Sequence, residues 1–448
     1  MEIKNNLPGR REFLGSMATL GAMGAIGAGN LLSSCGRQRT EFKMPPSPEI
    51  APDGPPLKAG VIGCGSRGTG AAFDFLNAGP NLQITALADI FQDRIDNCRR
   101  ALKERHGVEI PDENCFVGFD AYKRVIDSDV DVILETSLAY SRPLHFEAAV
   151  RARKHVFLEK PAGVDPVGVR SVLAAARMAE SAGLTVVAGT QRRHELNRIK
   201  TFEMVKNGAI GDPISGNCYS NTMASPFVAR QPGWTDMEYM LRNRGNWIWL
   251  TGDTIVNMLV HTIDVLNWFF EKYPVTATGF GGRHRRHVGD MYDFFSVDFA
   301  FDDNRRYQGM CRQMDGCDNK GGILLFGSEG YTNCRDRIWD YNDNLVWQYE
   351  YPPDDQGRPG TRLAVSPFNQ SHINMVTAIR TNNPVNEAIT MASSTLVALM
   401  GRESAYTGRD VTWDDMMNSN LDLLPEKVHL GPINIQPVSP VPGTPPGG

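Results

Sequence analysis

The sequence contains no long block of basic residues, no C-x-x-C pair and no strongly apolar run of membrane-spanning length. Its formal net charge is −5, and because phosphate binding needs clustered Lys and Arg, we do not expect a nucleic-acid partner. None of its eight cysteines has zinc-finger spacing, so no metal site is predicted. No internal repeat is visible, which excludes a solenoid. With 41% hydrophobic and 22% charged residues, the composition is that of a globular protein long enough for two domains.

The N-terminal segment, residues 1–35, has the features of an export signal. Arg10 and Arg11 precede a mildly apolar stretch rich in glycine and alanine, which is typical of the twin-arginine route. An ordinary secretory signal with two chance arginines is the alternative. Cys35 follows Leu-Ser-Ser, a sequence similar to a lipobox, so it is a candidate for lipidation. These features predict an exported, periplasmic protein, and they leave open whether Cys35 anchors it to a membrane.

Two proline-rich segments flank the sequence that is expected to fold. Residues 36–56 and 436–448 have no hydrophobic periodicity, so we predict an extended arm and an extended tail. Each is expected to be a spacer, with contact against a neighbouring subunit as the alternative. Because a twin-arginine substrate folds in the reducing cytosol, most cysteines should be buried thiols. Cys311 and Cys317 are the one pair to check for a disulfide.

A glycine-rich turn opens the first predicted domain, residues 57–188. An apolar strand leads into the sequence Gly63-Cys64-Gly65-Ser66-Arg67-Gly68, which stands at the start of a predicted helix. In such a turn Gly63 allows the tight bend, Gly65 lets backbone amides approach a pyrophosphate, and Gly68 lets the helix pack closely on its strand. The N-terminus of the helix then faces the anion. The motif therefore predicts a dinucleotide site.

Asp89 ends the second predicted strand, 21 residues after Gly68. A carboxylate at this place can accept hydrogen bonds from both ribose hydroxyls, whereas it repels a 2′-phosphate. Ile90 and Phe91 follow it, where an NADP enzyme more often has Arg or Ser. We therefore predict NAD as the cofactor. A simple turn residue at the strand end is the alternative for Asp89.

The alternation of strand and helix patterns predicts the fold. We expect an α/β protein in which a Rossmann domain with a doubly wound parallel sheet is followed by an α+β domain with a mainly antiparallel open sheet. The second domain, residues 189–435, contains longer aromatic-rich and β-prone segments. It is expected to bind the substrate and to form a homo-oligomer through its sheet.

Several motifs together resemble the Gfo/Idh/MocA oxidoreductase family over about residues 57 to 435. After the glycine turn and the strand-end aspartate come Leu144-His145, Glu159-Lys160-Pro161, GTQRRH and VHTIDVLNW. The resemblance is to the exported, sugar-acting branch that includes glucose-fructose oxidoreductase and NAD-dependent glycosidases. It implies that Lys160, His261 and Asn257 are the catalytic residues, with Asn257 in the position of an aspartate. It also implies that the cofactor contacts are Gly63, Gly65, Ser66, Arg67, Gly68, Asp89, His145, Glu159 and Lys160.

The chemistry of these side chains agrees with that implication. Oxidation of a secondary alcohol needs a group that takes the hydroxyl proton, and a lysine beside a positive nicotinamide has a lowered pKa suited to this task. Asn257 and His261 are four residues apart, so a helix from Asp253 presents both on one side of the cleft. The alternatives are a surface salt bridge between Lys160 and Glu159 and a core histidine at position 261.

The predicted substrate contacts come from the second domain. Residues 231–253 contain four aromatic rings among arginines, amides and acids, a mixture that suits a carbohydrate because rings stack on sugar C–H faces. Packing of these rings in the core is the alternative. Asp264 can orient the imidazole of His261 or cap a neighbouring turn, and the sequence does not separate the two. The candidate substrate residues are Gln191, Arg193, Trp247 and Asp264.

The leading functional hypothesis is an NAD-dependent oxidoreductase that acts on a CH–OH group of a sugar or sugar derivative. Outside the cytosol there is no NAD pool, so an exported enzyme must retain its NAD and reoxidise it in place. One alternative is a redox-neutral NAD-dependent glycoside hydrolase that works through a 3-keto intermediate. Another is a non-catalytic sugar or dinucleotide sensor, which Asn257 keeps open.

Overall fold

A six-stranded sheet with only parallel pairings forms the first part of the fold. The structure is a computed structural model and describes residues 41–354, 356–433 and 438–444. The strands are β1 (Leu57–Ile62), β2 (Leu82–Asp89), β3 (Cys115–Val117), β4 (Val132–Glu135), β5 (His155–Leu158) and β6 (Val186–Ala188). Their order is β3-β2-β1-β4-β5-β6, so the direction of strand addition reverses between β1 and β4. Ligands of such sheets bind at that reversal, outside the carboxyl ends of the strands.

Helices alternate with these strands, which confirms the predicted doubly wound arrangement. They are α1 (Ser66–Leu76), α2 (Gln92–His106), α3 (Ala121–Ile126), α4 (Arg142–Arg151) and α5 (Pro166–Ser181). Strands β1, β4 and β5 are almost wholly buried because both faces of a parallel sheet are covered.

A nine-stranded sheet forms the second part, and it is mainly antiparallel as predicted. Its order is β14-β13-β12-β11-β7-β10-β9-β8-β15, and only β7 and β10 pair in parallel within the described residues. The strands are β7 (Pro213–Thr222), β8 (Thr276–Gly282), β9 (Phe294–Ala300), β10 (Arg306–Gln313), β11 (Lys320–Gly327), β12 (Gly330–Thr332), β13 (Arg337–Asp340), β14 (Leu345–Gln348) and β15 (Val411–Thr412). Alternating burial along β9 and β10 shows that one face packs on a core.

The remaining helices connect the two sheets. They are α6 (Leu196–Lys206), α7 (Asp236–Arg242), α8 (Ile248–Thr251), α9 (Val260–Phe270), α10 (Pro367–Arg380), α11 (Ala388–Thr407) and α12 (Trp413–Asn418). Helix α11 is buried along most of its length because it packs against α5 on one side and β8 on the other. Helix α10 comes late in the chain, yet Ile373, Met375 and Val376 complete the core of the first sheet.

The described residues of the arm, 41–56, and of the tail, 438–444, pack on the chain itself, so these parts are not the spacers that their composition predicts. The Phe42 N–H donates to Asn207 Oδ1 at 2.7 Å, and Arg380 donates to the Pro52 carbonyl at 2.6 Å. In the tail, the Tyr292 hydroxyl donates to the Pro440 carbonyl at 2.7 Å. Exposed carbonyls of proline-rich backbone have no regular partners, and these side chains provide them.

The cysteines of the described residues are all free thiols, and most of them are buried. Cys311 and Cys317 therefore form no disulfide. No helix in the described part of the chain is long and apolar enough to cross a bilayer. The predicted export signal, with Arg10, Arg11 and Cys35, lies outside the described residues.

Candidate functional site

A cavity of about 650 Å³ lies at the carboxyl ends of the first sheet. It brings together residues that are far apart in the sequence and that the glycine turn, Asp89 and the family resemblance assigned to one site. All nine predicted cofactor residues line it, together with both other predicted catalytic residues and one predicted substrate residue: Gly63, Gly65, Ser66, Arg67, Gly68, Asp89, His145, Glu159, Lys160, Asn257, His261 and Gln191.

The glycine turn fits a closely bound pyrophosphate. Gly63 has a φ of +95°, and a Cβ there would lie 2.6 Å from the Ser137 backbone nitrogen. A Cβ on Gly68 would lie 1.8 Å from the Gly63 carbonyl oxygen, so α1 can approach its strand only with glycine at this position. A Cβ on Gly65 would meet nothing within 4 Å. Gly63 and Gly68 are thus required by the fold, whereas Gly65 leaves open space that a ligand can fill.

The N-terminus of α1 provides the charge that a pyrophosphate needs. The helix begins at Ser66, its N-cap Gly65 supplies no side-chain acceptor, and its first turn contains no acidic residue. The first N–H groups of a helix have no partners within the helix, and they carry the positive end of its dipole. An anion in the cavity is therefore the natural partner of these N–H groups.

Asp89 reaches the cavity from the end of β2 and also holds the glycine turn. Its Oδ2 accepts from the Cys64 N–H at 2.7 Å, and its Oδ1 accepts from the Phe91 N–H at 3.0 Å. Burial raises the pKa of Asp89, although the two N–H donors oppose the shift. Each carboxylate oxygen keeps acceptor capacity for a ribose hydroxyl. The turn and ribose roles, posed as alternatives, are compatible in one side chain.

Two buried carboxylates position the other cofactor residues. Glu159 Oε1 accepts from Arg67 Nε at 2.5 Å, so Glu159 forms its ion pair with Arg67. His145 Nδ1 lies 3.1 Å from an oxygen of Glu135, a residue with no exposed surface. The imidazole also stacks on Tyr122 at a centroid distance of 4.1 Å. These contacts fix the orientation of the arginine and the imidazole at the cavity wall.

Lys160 follows β5 and is half-buried in the cavity. Its Nζ donates to the backbone carbonyl of Asn257 at 2.6 Å, so the alternative of a surface salt bridge with Glu159 does not hold. Burial lowers the pKa of Lys160 to about 8, and the neighbouring Arg142 adds to this effect while Glu159 opposes it. A lysine with this pKa exchanges protons near neutral pH.

His261 and Asn257 face the cavity, as predicted, but the helix that carries them differs from the prediction. Asp253 has a φ of +77° and stands outside it; a π-helical turn, Ile255–Leu259, contains Asn257 and leads into α9. Such turns are frequent at functional sites. The Nδ1 of His261 is buried and has no hydrogen-bond partner in the described residues, unlike a satisfied core histidine. Burial, with Lys160 next in effect, holds the pKa of His261 well below its usual range, so the imidazole is neutral.

Three predicted substrate residues do not line the cavity. Asp264 is 1% exposed, accepts from Arg193 Nε at 2.8 Å and from the Ser394 hydroxyl at 2.9 Å, and neither orients His261 nor caps a turn. Trp247 is 6% exposed and packs in an apolar cluster with Tyr140 and Trp249. The ion pair and the ring therefore stabilise the fold around the site.

Other cavity residues had no signal in the sequence that separated them from their neighbours. Arg244 lines the cavity, whereas Arg242, two residues earlier, pairs with Asp93. Leu424 and Val428 reach the cavity from the C-terminal part of the chain. In the sequence, only the arginines of the aromatic segment 231–253 indicated this region, and the pattern did not show which of the two, Arg242 or Arg244, faces the cavity.

Comparison with protein families gives two matches along the chain. Residues 57–189 match the model of the oxidoreductase family with an NAD-binding Rossmann fold, and residues 199–332 match the Gfo/Idh/MocA C-terminal domain. The inositol 2-dehydrogenase of Acidothermus cellulolyticus is 25% identical over 238 residues, which is 53% of this chain and 60% of that protein. The myo-inositol 2-dehydrogenase of Thermotoga maritima is 27% identical over 225 residues, 50% of this chain and 58% of that protein. The chain thus spans between half and two thirds of the length of these relatives.

Solved structures share the fold. The scyllo-inositol dehydrogenase of Lactobacillus casei with bound NAD(H) and scyllo-inositol has a TM-score of 0.59 at 18% identity, covering 80% of this chain and 99% of that one. The aldose-aldose oxidoreductase of Caulobacter crescentus has a TM-score of 0.61 at 17% identity with the same coverage. At these identities the likeness concerns the arrangement of helices and strands.

Proposed function

Because this chain belongs to the Gfo/Idh/MocA oxidoreductase family, we propose that it uses NAD to oxidise a CH–OH group of a sugar or polyol. The observation that carries the proposal is the position of Lys160. Its amine lies in the same cavity as the glycine turn and Asp89, next to Asn257 and His261. A proton acceptor thus stands at the place where an NAD-binding cavity opens toward the second sheet.

Lys160 is the group that takes the hydroxyl proton. NAD, when bound, accepts the hydrogen of the C–H bond with its electron pair. As the carbonyl forms, the proton of the hydroxyl moves to the lone pair of Lys160 Nζ, which leaves an ammonium ion. The backbone carbonyl of Asn257, 2.6 Å from Nζ, accepts a hydrogen bond from one N–H of the amine and so orients it.

His261 and Asn257 position the substrate. Neutral imidazole can donate or accept a hydrogen bond, and it adds no positive charge beside Lys160. The amide of Asn257 offers both a donor and an acceptor to a second hydroxyl. A polyol presents neighbouring hydroxyls with this same dual character, so the pair suits a carbohydrate better than an apolar alcohol.

The names of the relatives support this substrate class. The inositol dehydrogenases and the aldose-aldose oxidoreductase are named for polyols and sugars. Gln191 is the one predicted substrate contact that lines the cavity, and we assign it to a hydroxyl of the substrate. Arg193, Trp247 and Asp264 have no part in this proposal.

We also propose that the protein is exported by the twin-arginine route and keeps NAD bound through the whole reaction cycle. Arg10 and Arg11 support the export route. Retention is supported by the cover over the cavity, to which Leu241 contributes from the middle of the chain and Leu424 and Val428 from its C-terminal part. An exported enzyme without access to free NAD must return each bound NADH to NAD before the next oxidation.

The test is to add a panel of sugars and polyols to purified protein and follow NADH at 340 nm. We expect NADH to form with at least one member of the panel, and Lys160→Ala to keep the fold and the cofactor but lose this signal. Acid extracts of the purified protein should contain NAD(H) and little NADP(H). Release of an aglycone with no bound NADH at any time, or mainly NADP(H) in the extract, would contradict the proposal.

A further inference from the structure

Two distant stretches of the chain cover the cavity from above; we call residues 236–250 and 421–433 together the roof. Met237, Met240 and Leu241 of the roof pack in one apolar cluster with Ala139 and Tyr140, which follow β4. The same cluster takes in Leu423, Val428 and Ile433 of the roof and, beside the carboxyl end of β2, Ile90 and Phe91. The roof therefore closes the cavity on the side of the strand ends where the adenosine half of a dinucleotide binds.

Arg242 fastens the roof to the start of helix α2, which follows β2 of the first sheet. Its Nη2 donates to Asp93 Oδ1 at 3.0 Å and its Nη1 to Asp93 Oδ2 at 3.3 Å, in a bidentate pair. Its Nε donates to Glu238 at 3.0 Å, and its guanidinium lies 4.1 Å from the centroid of the Phe91 ring. Planar pairing and ring stacking together fix the position of an arginine better than a single contact. The backbone just after Arg242 is therefore held in place over the cavity.

The C-terminal half of the roof is fixed by backbone contacts. The Met237 N–H donates to the Gly431 carbonyl at 3.2 Å, which joins the two stretches of the roof. The Leu423 N–H donates to Asp165 Oδ2 at 3.0 Å, which ties the second stretch to the start of α5. These contacts make the roof one connected cover.

Arg244 points from the roof to the cavity and has no anionic partner. It lines the cavity, and its guanidinium makes no hydrogen bond and no ion pair with the residues that the structure describes. Arg244 keeps exposed surface, and its pKa is lowered by desolvation from the surrounding cavity wall and then by repulsion from Arg94. Arg244 in turn lowers the pKa of both Arg142 and Lys160. It thus lies among cations that follow β2, β4 and β5, in the cavity that the N-terminus of α1 also lines.

We propose that Arg244 binds the pyrophosphate of the dinucleotide from the side opposite the glycine turn, and that the roof, fastened by Arg242 and Asp93, encloses the bound NAD. A diphosphate is the anion that a site with an open helix N-terminus on one side and a free guanidinium on the other recognises. The pyrophosphate contact needs only that the chain binds NAD. The enclosure by the roof explains why NAD would stay bound through the reaction cycle, and this part rests on the proposed function.

The experiment compares ligands with and without phosphates. Titration of cofactor-free protein with ADP-ribose and with adenosine is done for the wild type, for Arg244→Gln and for Arg306→Gln as the matched control. Arg306 is an exposed arginine that pairs with Asp298 in the second sheet and lines neither the cavity nor the roof. Because a charge-assisted contact is lost, the affinity of Arg244→Gln for ADP-ribose should fall on the order of 10- to 100-fold, whereas its affinity for adenosine should be almost unchanged. The control should bind both ligands as the wild type does.

The enclosure is tested on the NADH-loaded protein by adding excess ADP-ribose and following the loss of bound NADH fluorescence. Arg242→Gln should release NADH at least several-fold faster than the wild type, with an unchanged melting temperature. The proposal would be overturned if the wild type and Arg244→Gln bound ADP-ribose equally well, or if the substitution lowered the affinity for ADP-ribose and adenosine by the same factor. An effect of Arg244→Gln only on the KM of an acidic sugar would also overturn it. Because ADP-ribose has no nicotinamide, this result does not depend on any sugar being oxidised. A chain that binds ADP-ribose through Arg244 but oxidises no sugar would overturn only the proposed function.

Discussion

The pH dependence of alcohol oxidation should report the state of Lys160. Only the neutral amine can accept the hydroxyl proton, so the oxidation rate should rise with pH until the lysine is deprotonated. In the reverse direction the ketone needs a proton from the ammonium form, so the rate of reduction should fall over the same pH range. Opposite slopes around one pKa are the signature of a group that gives and takes the same proton.

The magnitude follows from the surroundings of the lysine. Burial, aided by Arg142, lowers the pKa of Lys160 from its ordinary value of 10.5 to about 8. That difference corresponds to about 3.4 kcal/mol in favour of the neutral amine. At pH 7 roughly one lysine in eleven is then neutral, against about one in three thousand for an ordinary lysine. The site therefore raises the population of the active base about 300-fold, and bound oxidised nicotinamide lowers the pKa further.

The assay is the single-turnover rate of bound-NADH formation between pH 6 and 10, at substrate concentrations well below saturation, with ordinary substrate and with substrate deuterated at the reacting carbon. A primary isotope effect shows that C–H cleavage limits the rate, so that the profile reports the chemical step. We expect a tenfold rise per pH value up to an inflection at or below about 8, because bound oxidised nicotinamide lowers the pKa of Lys160 further, and a plateau above the inflection. A flat profile between pH 6 and 9 with a full isotope effect would refute the role of Lys160, as would the same inflection in Lys160→Ala.

Three further results are expected. Gly65→Ala should weaken the binding of NAD but leave the melting temperature unchanged, because a Cβ at this position meets only open space. Gly68→Ala should lower the free energy of unfolding by roughly 1–3 kcal/mol, because its Cβ would lie 1.8 Å from a carbonyl oxygen. Equal melting temperatures for the two variants would contradict this assignment. Asp264→Asn should cost about 3–5 kcal/mol of stability by breaking the buried pair with Arg193, with KM unchanged; a stable variant with a raised KM would restore Asp264 to the substrate site. Asn257→Asp should raise the pKa of Lys160, because a nearby carboxylate stabilises the ammonium form, and the oxidation rate should then rise at higher pH. An unchanged pH profile would show that the two groups are not coupled.

The parts of the site that depend on local backbone geometry could be predicted from the sequence. Gly63 and Gly68 are required by a φ of +95° and by a contact that no side chain tolerates, so a short motif records them. Asp89 lies at the end of its own strand, and its distance from the motif is set by one helix and one turn. The alternating patterns likewise predicted both sheets, because burial on one or both faces determines which residues a strand can contain.

The parts that depend on contacts between distant residues could not be predicted. Lys160 and Asn257 are 97 positions apart, and the bond to a backbone carbonyl leaves no trace in residue type. Arg193 was assigned to the substrate because of its place after β6, but its partner Asp264 lies 71 positions later. Trp247 was assigned to a sugar because rings suit sugars, yet the apolar cluster that buries it includes residues as far away in the sequence as Ile90 and Ile433. In each case the sequence contains the chemistry and tertiary packing decides which side chains reach the cavity.

The most direct test of the account is the transfer of deuterium within one turnover. Purified protein with its own bound NAD is mixed with a deuterated substrate, namely the polyol or sugar that gives NADH absorbance at 340 nm, labelled at the reacting carbon. The cofactor is then extracted and its mass is measured by mass spectrometry. We predict that bound NADH carries one deuterium from the substrate and that Lys160→Ala, with the same content of bound NAD, carries none. NADH without the label, or equal labelling in the variant, would contradict the central claim that this cavity oxidises a CH–OH group with Lys160 as the base.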